Sequence, residues 1–293
     1  MATALVSDGQ CLNVLKPRSK PCGGEAPLLL KALALALAAL LALPALAAAA
    51  CLPIAQNARG LLQPARYAPL LAAAAPGTVS LTFLGHASFL IETPAGAAAV
   101  TDYNGVIRPP FVPDIVTMNN AHPMHYTDTP DPGIKYVLRG WDEPGRLARY
   151  DILYKDMRVR NVPTNVRDEA GGTRFNGNSI FVFEAANLCI AHLGHLHHTL
   201  TDVHLGELGQ IDVLLVPVDG AYTMSQFDMI EVVREIAAPL VIPMHFFTEA
   251  TLERFLARMR DTHEIAFSDS ATVVLARDTL PRGRPKVLVL PGH

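Results

Sequence analysis

Histidines gather where three apolar, strand-like runs end. Residues 114–118 lead into Asn119-Asn120-Ala121-His122-Pro123-Met124-His125, residues 187–191 empty into His192-Leu193-Gly194-His195-Leu196-His197-His198, and Leu240-Val241-Ile242-Pro243 stops at Met244-His245. Neutral imidazole is the commonest protein metal ligand, and loops leaving buried strands are where a rigid scaffold places chemistry. A lone loop histidine is more often solvated or structural, so the weight rests on three distant segments meeting around one ion. An all-imidazole set suits zinc, iron, nickel or copper better than magnesium or calcium, which prefer oxygen. The chemistry such a centre offers is hydrolysis, through acidified water and a polarised scissile bond.

A centre of this kind needs elements that end together. Residues 79–84 and 87–92 are short apolar runs, and Thr93-Pro94-Ala95-Gly96 supplies turn chemistry before 97–101, which predicts an opening antiparallel meander. Further strands are expected at 114–118, 136–138, 158–162, 179–184, 188–191, 212–217, 240–243 and 272–276. Two helices stand out. Ser225 with Asp228 resembles a capping pair, followed by a stripe of Phe227, Ile230, Val233 and Ile236. The other begins after Thr248, with Leu252, Phe255, Leu256 and Met259 at helical spacing, and Glu249, Arg258 and Arg260 complement its macrodipole. Strands in bulk with intermittent helices predict an α+β chain of layered sheets covered by helices.

Half of the 293 residues are hydrophobic, so a sizeable core is available. The formal charge of -3 carries no basic footprint, and no nucleic-acid partner is expected. Cys11, Cys22, Cys51 and Cys189 show no zinc-finger or redox spacing. Residues 32–50 contain only Ala, Leu and one Pro, preceded by Lys16, Arg18, Lys20 and Lys31. A positive flank before such a run is an export signal or a membrane anchor, and it places the remaining chain outside the cytoplasm, periplasmic or membrane-anchored. Ala47 to Ala50 suit a signal-peptidase site, and Cys51 after them resembles a lipoprotein junction. The expected organisation is an export signal or anchor over 1–51, a linker rich in Pro and Gly over 52–77, and one folded domain over 78–293.

The ordered set Phe83-Leu84-Gly85-His86-Ala87-Ser88-Phe89-Leu90-Ile91, Thr101-Asp102, the His122/His125 loop, His192-Leu193-Gly194, Val216-Pro217-Val218, Tyr222-Thr223-Met224 and Pro243-Met244-His245 resembles the metallo-β-lactamase superfamily. It is most similar to the branch of ascorbate-6-phosphate lactonase-like hydrolases, over about residues 78 to 277. The resemblance implies a four-layer αββα sandwich with a metal site along one edge of the paired sheets. It carries His122, His125, His192 and His245 over as metal ligands, and His195 stands where the branch has a bridging carboxylate. The signature loop His-x-His-x-Asp-His here reads Asn120-Ala121-His122-Pro123-Met124-His125, so Asn120 and Met124 replace a ligand and the water-orienting aspartate.

These departures favour one divalent transition metal, zinc by default. Two unit charges a few ångströms apart interact by about 4 kcal/mol at an intermediate effective dielectric, dication pairs scale that upward, and this frame offers no anionic ligand to offset it. Asp102 implies a supporting hydrogen bond to the ligand loop, and with Asp219 it is a candidate for general-base help. Asp219 is either a carboxylate near the metal or a turn residue before Gly220. His86 either lines the site or satisfies local backbone, and His197, His198 and His204 read as surface or outer groups. The expected function is hydrolysis of an ester, lactone or phosphoester in a small-molecule substrate. The alternative is a metal- or ligand-binding protein that keeps the fold without hydrolysis.

Overall fold

The computed structural model of the chain describes residues 74–143, 146–168 and 170–292, all within one compact unit. The export signal or anchor over 1–51 and the linker up to residue 73 lie outside the described residues. Among the described residues no helix is long and apolar enough to cross a membrane.

In chain order the strands are β1 (Thr78–Gly85), β2 (Ser88–Glu92), β3 (Ala98–Val100), β4 (Ile115–Met118), β5 (Tyr136–Arg139), β6 (Asp151–Tyr154), β7 (Met157–Arg167), β8 (Thr173–Ala185), β9 (Leu188–His192), β10 (Val213–Pro217), β11 (Leu240–Met244), β12 (Glu264–Phe267), β13 (Thr272–Ala276) and β14 (Lys286–Val289). The helices are α1 (Asp202–Leu208), α2 (Gln226–Ile236) and α3 (Glu249–Met259). One sheet runs β13-β1-β2-β3-β4-β5 and the other β12-β14-β11-β10-β9-β8-β7-β6. Each sheet is antiparallel in one half and parallel in the other: β3, β4 and β5 run together, as do β9, β10, β11, β14 and β12. The parallel strands β9, β10 and β11 deliver their carboxyl ends to a common edge, which is where loops gather chemistry in open sheets.

The sheets meet because alternate positions are apolar. Along β1, Val79, Leu81 and Phe83 are buried while Thr78, Ser80 and Thr82 are partly exposed. They pack with Phe89 and Ile91 of β2 against Phe181, Phe183, Ile190, Val213, Leu215 and Ile242 of the facing sheet. Each such side chain contributes roughly 1.5–3 kcal/mol on burial. The other face of the larger sheet, through Val182, Ala191, Leu214 and Val241, carries Met229 and Val233 of α2 and Leu252, Phe255 and Leu256 of α3. Thr248 and Ser225 cap α3 and α2 as their sequence positions predict. The α2 stripe differs from expectation. Met229, Ile230, Val232 and Val233 are its buried apolar residues, and Phe227 lies exposed beneath the Arg258 guanidinium.

The sandwich expected from the resemblance is therefore present, with one difference in its outermost layer. Among the described residues the helices cover only the larger sheet. The outer face of the smaller sheet, through Leu90, Val100, Val116 and Met118, is covered by Tyr103, Ile134 and Trp141 from connecting segments. A buried ion pair locks the far side of the larger sheet: Arg160 Nε donates to Glu184 Oε1 at 2.7 Å. The same guanidinium donates to the carbonyls of Glu207 and Leu208, the end of a helix with no basic residue in its last turn. Arg160 thus supplies the C-terminal positive charge that α1 lacks.

Candidate metal centre

Strand endings set the site. His86 leaves β1 at φ +53°, Asp102 leaves β3 at φ +44°, and His245 leaves β11 at φ +53°. A non-glycine residue in this left-handed region costs on the order of 1–3 kcal/mol, so neighbours must hold it. The His245 N–H donates to the His86 carbonyl at 2.7 Å, and Ser88 Oγ donates to the Asp102 carbonyl at 3.0 Å. The first of these links joins an end of the smaller sheet to an end of the larger.

Two carboxylates then decide what the imidazoles can do. His125 Nδ1 lies 2.7 Å from Asp102 Oδ2, and His245 Nδ1 lies 3.1 Å from Asp219 Oδ1. Each Nδ1–H is donated backwards, which leaves the lone pair on Nε2. Those two Nε2 atoms face each other at 3.2 Å. A hydrogen bond between them would require one ring to take the other tautomer and deprive its carboxylate of a donor. A cation resolves the conflict, and 3.2 Å is close to the roughly 3.3 Å between two nitrogens each bound ~2.0–2.1 Å from a tetrahedral ion. His86 adds an independent sign: its Nε2 is buried without a hydrogen-bond partner. One ring nitrogen from each of His86, His125 and His245 lies within 4.8 Å of the others. The donor set therefore fits a transition ion.

The electrostatics agree with the ligand form of the rings. Burial, then the neighbouring His245 and His125, holds His86 down to about 4. Burial first, then neighbouring imidazoles, holds His125 and His195 well below the usual histidine range. Burial pushes the Asp102 carboxyl up, against His192 and the Asn119 N–H. Burial also acts upward on Asp219, but hydrogen bonds from His245 and Thr223 prevail and hold it below the usual carboxylate range.

Neither Asp102 nor Asp219, the two candidates for general-base help, lines the cavity, and the hydrogen bonds of both run to backbone, Thr223 and imidazole groups. Asp219 Oδ2 accepts the N–H groups of Ala221, Tyr222 and Thr223, and Oδ1 accepts Thr223 Oγ1 as well as His245. Asp102 Oδ1 accepts the Asn119 N–H while Oδ2 holds His125. Both orient imidazoles, the outer role that fixes tautomer and ring direction.

The remaining histidines divide. His122 is exposed at the rim, its ring 5.6 Å from that of His125 and 5.5 Å from that of His195. His195 is buried, its ring 4.7 Å from His125 and 5.3 Å from His245. His192, expected as a ligand, does not join them. It shares a strand face with Leu188 and Ile190, whose side chains fill the space between the sheets. Its Nε2 donates to the Ala87 carbonyl at 2.7 Å, and Nδ1 accepts from Asn119 Nδ2 and from the Gly194 N–H at 3.1 Å each, so neither nitrogen is free. Gly194 is required here, because a Cβ at its φ of +61° would stand 2.4 Å from Asn119. Asn119 and Asn178, given no site role from sequence, and His197, read there as a surface or outer group, are positioning groups: the Asn178 Oδ1 accepts the His195 N–H, and His197 Nε2 lies 2.7 Å from His195 Nδ1. Only histidine spacing could have pointed to His197; nothing local marks the two asparagines.

The cluster opens into a cavity of about 820 Å³. Met124, Tyr222 and Phe247 supply apolar wall, and His86, His122, His195 and His245 supply the polar end. A second cavity of about 490 Å³ shares His122, His195, His197 and Arg167 with it and is flanked by Arg174.

Comparison with known proteins agrees with this architecture. A family profile described as a β-lactamase superfamily domain matches residues 80–245. A UPF0173 metal-dependent hydrolase of Methanoculleus marisnigri is 28% identical over 229 residues, spanning 70% of this chain and 98% of that protein. Another from Desulforamulus reducens is 25% identical over 195 residues, spanning 58% and 85%. A Thermotoga maritima crystal structure, assigned to the Zn-dependent hydrolases of the metallo-β-lactamase superfamily, matches with a TM-score of 0.52 at 30% identity, covering 72% of this chain and 98% of that one.

Proposed function

The chain belongs to the metallo-β-lactamase superfamily, and from that premise we propose that it is a metal-dependent hydrolase with a single, imidazole-held transition ion. The observation that carries this reading is the pair of carboxylate-backed imidazoles, His125 and His245, whose Nε2 lone pairs converge beside the partnerless His86 Nε2. His86, His125 and His245 would hold the ion, with His122 able to approach from the rim. The carboxylate oxygens of Asp102 and Asp219 are taken up by hydrogen bonds and do not screen a second dication, which supports one ion, and imidazole donors support zinc.

The chemistry a bound ion supplies is polarisation of a substrate oxygen and acidification of water. Asp102 and Asp219 keep the proton on Nδ1 of their imidazoles and hold the rings in place. Met124, Tyr222 and Phe247, exposed along one side of the cavity, offer an apolar surface to a portion of substrate. The cavity has the size of small-molecule sites. An ester, lactone or phosphoester meets these demands, and the His192-Leu193-Gly194 and Pro243-Met244-His245 segments support a place near the lactonase-like branch. The charged flank and apolar run before Cys51 support export, to the periplasm or to the outer side of a membrane.

The test combines metal analysis of protein purified without added metal with turnover on lactones, phosphodiesters and aryl esters, for wild type and His245→Ala. One ion per chain and metal-dependent turnover that disappears in the variant are the expected results. Two tightly held ions would overturn the single-ion reading. A bound ion without turnover on any of these substrates would favour a protein that binds metal or ligand without hydrolysing.

A further inference from the structure

Five imidazoles surround the cavity, but their hydrogen bonds do not make them equivalent. The Arg167 backbone N–H donates to His197 Nδ1 at 2.8 Å. A backbone N–H cannot accept, so the lone pair of a neutral His197 lies on Nδ1 and its proton lies on Nε2. That Nε2 is 2.7 Å from His195 Nδ1 and must donate to it. His195 Nδ1 is therefore the acceptor, and the proton of a neutral His195 sits on Nε2. Burial, then Arg167 and His198, holds His197 down to about 4, so the chain of donors stands at neutral pH.

His125 and His245 have the opposite tautomer, because carboxylates stand behind them where His195 has an imidazole N–H. Three neighbouring rings thus carry two different functions. Those backed by Asp102 and Asp219 present lone pairs, and the one backed by His197 presents a proton. His195 Nε2 has no hydrogen-bond partner among the described residues and, unlike His86 Nε2, is not sealed from the cavity. Asn178 holds its backbone N–H and His197 holds its ring at Nδ1, so Nε2 keeps one direction.

We propose that His195 is a fixed hydrogen-bond donor to bound substrate and not a metal ligand, with His197 as the positioning residue that sets its tautomer. This rests on the hydrolase reading, in which a substrate oxygen gains negative charge during reaction and is stabilised by a preorganised N–H. It also replaces the expectation that His195 takes the place of a ligand. For His195 to ligate through Nε2, its proton would have to shift to Nδ1 and donate to His197 Nε2, which forces the proton of His197 onto its own Nδ1, where it would point at the Arg167 N–H. That donor-to-donor contact leaves both groups unsatisfied.

The tautomers can be read directly. In full-length protein labelled with ¹⁵N-histidine, ring nitrogen–carbon-proton correlation spectra, assigned with His195→Gln, are expected to show His195 protonated on Nε2 in both metal-free and zinc-loaded protein. His125 and His245 are expected to be protonated on Nδ1. Zinc affinity should stay within about threefold in His195→Gln, against a loss of more than about a hundredfold in His125→Ala, since orienting groups alone are worth 10–100-fold. His195 protonated on Nδ1, or zinc affinity falling in His195→Gln as it does in His125→Ala, would overturn the proposal. Should His195→Gln fail to fold, His197→Phe tests the same link. It should remove the Nε2 preference of His195 while zinc affinity is retained; an unchanged tautomer would count against His197 as its cause. None of these readouts needs turnover, so a protein that binds zinc without hydrolysing anything would fail the hydrolase reading and still decide the tautomer.

Discussion

Replacing Asp102 by asparagine isolates the charge and acceptor capacity of one side chain, because the two are nearly the same shape and asparagine tolerates the φ of +44° found there. The carboxylate now serves two donors, the Asn119 N–H at 3.0 Å and His125 Nδ1–H at 2.7 Å. An amide has one oxygen to offer. If that oxygen stays with Asn119, the NH₂ turns to His125 and demands the lone pair on Nδ1, which moves the ring proton to Nε2 and removes a ligand atom. If it stays with His125, the NH₂ meets the Asn119 N–H donor to donor inside the ligand loop, an unsatisfied buried contact of about 1–3 kcal/mol. Either way the variant should bind zinc about 10- to 100-fold more weakly, or about 1.4–2.8 kcal/mol. Competition against a chromophoric chelator measures this, with circular dichroism to check folding. A folded Asp102→Asn protein with wild-type zinc affinity would refute the tautomer argument at its base.

Glu184→Ala leaves Arg160 charged and without its carboxylate in the interior, so urea denaturation should show a loss of about 3–5 kcal/mol; a loss under about 1 kcal/mol would mean the α1 carbonyls alone satisfy the guanidinium. The metal-free protein should also lose stability as pH falls. His86 and His197 are held down to about 4, against an ordinary value of 6.5, so the unfolded chain binds the extra protons first. Their contribution is complete above about pH 6.5 and declines as pH falls toward about 4, so the melting temperature should drop across that window; a flat profile in chelated protein would contradict the burial of these rings.

Much of the fold was legible because β1 alternates and because α3 buries the four residues its spacing marks. Strands β6, β12 and β14 and helix α1 escaped notice: β6 and β12 are short edge strands with no alternation to read, α1 is only seven residues long, and β14 has just four residues although they alternate. Within the site, His125 and His245 follow their strands into the cluster as expected. His192 shows where spacing runs out of information. β9 is buried on both faces, so its hydrophobic run does not say which face a terminal histidine continues, and the ring follows Leu188 and Ile190 between the sheets. His86, left undecided between lining the site and satisfying backbone, does both: its carbonyl accepts His245 N–H while its ring enters the cluster. The supporting hydrogen bond of Asp102 to the ligand loop was expected from the resemblance, whereas the role of Asp219 depended on which oxygen meets which donor, and only three-dimensional hydrogen bonding supplies that.

The His245–His86 backbone link has a bearing on how the molecule comes together. His86 and His125 hang from one slab of the sandwich, and His195 and His245 from the other, so the seam between the slabs runs straight through the nest of rings. Neither slab alone can cradle an ion with this set. A newly made chain must dock its halves before it can capture metal, and occupancy then becomes a mark of finished assembly rather than a nucleus for it.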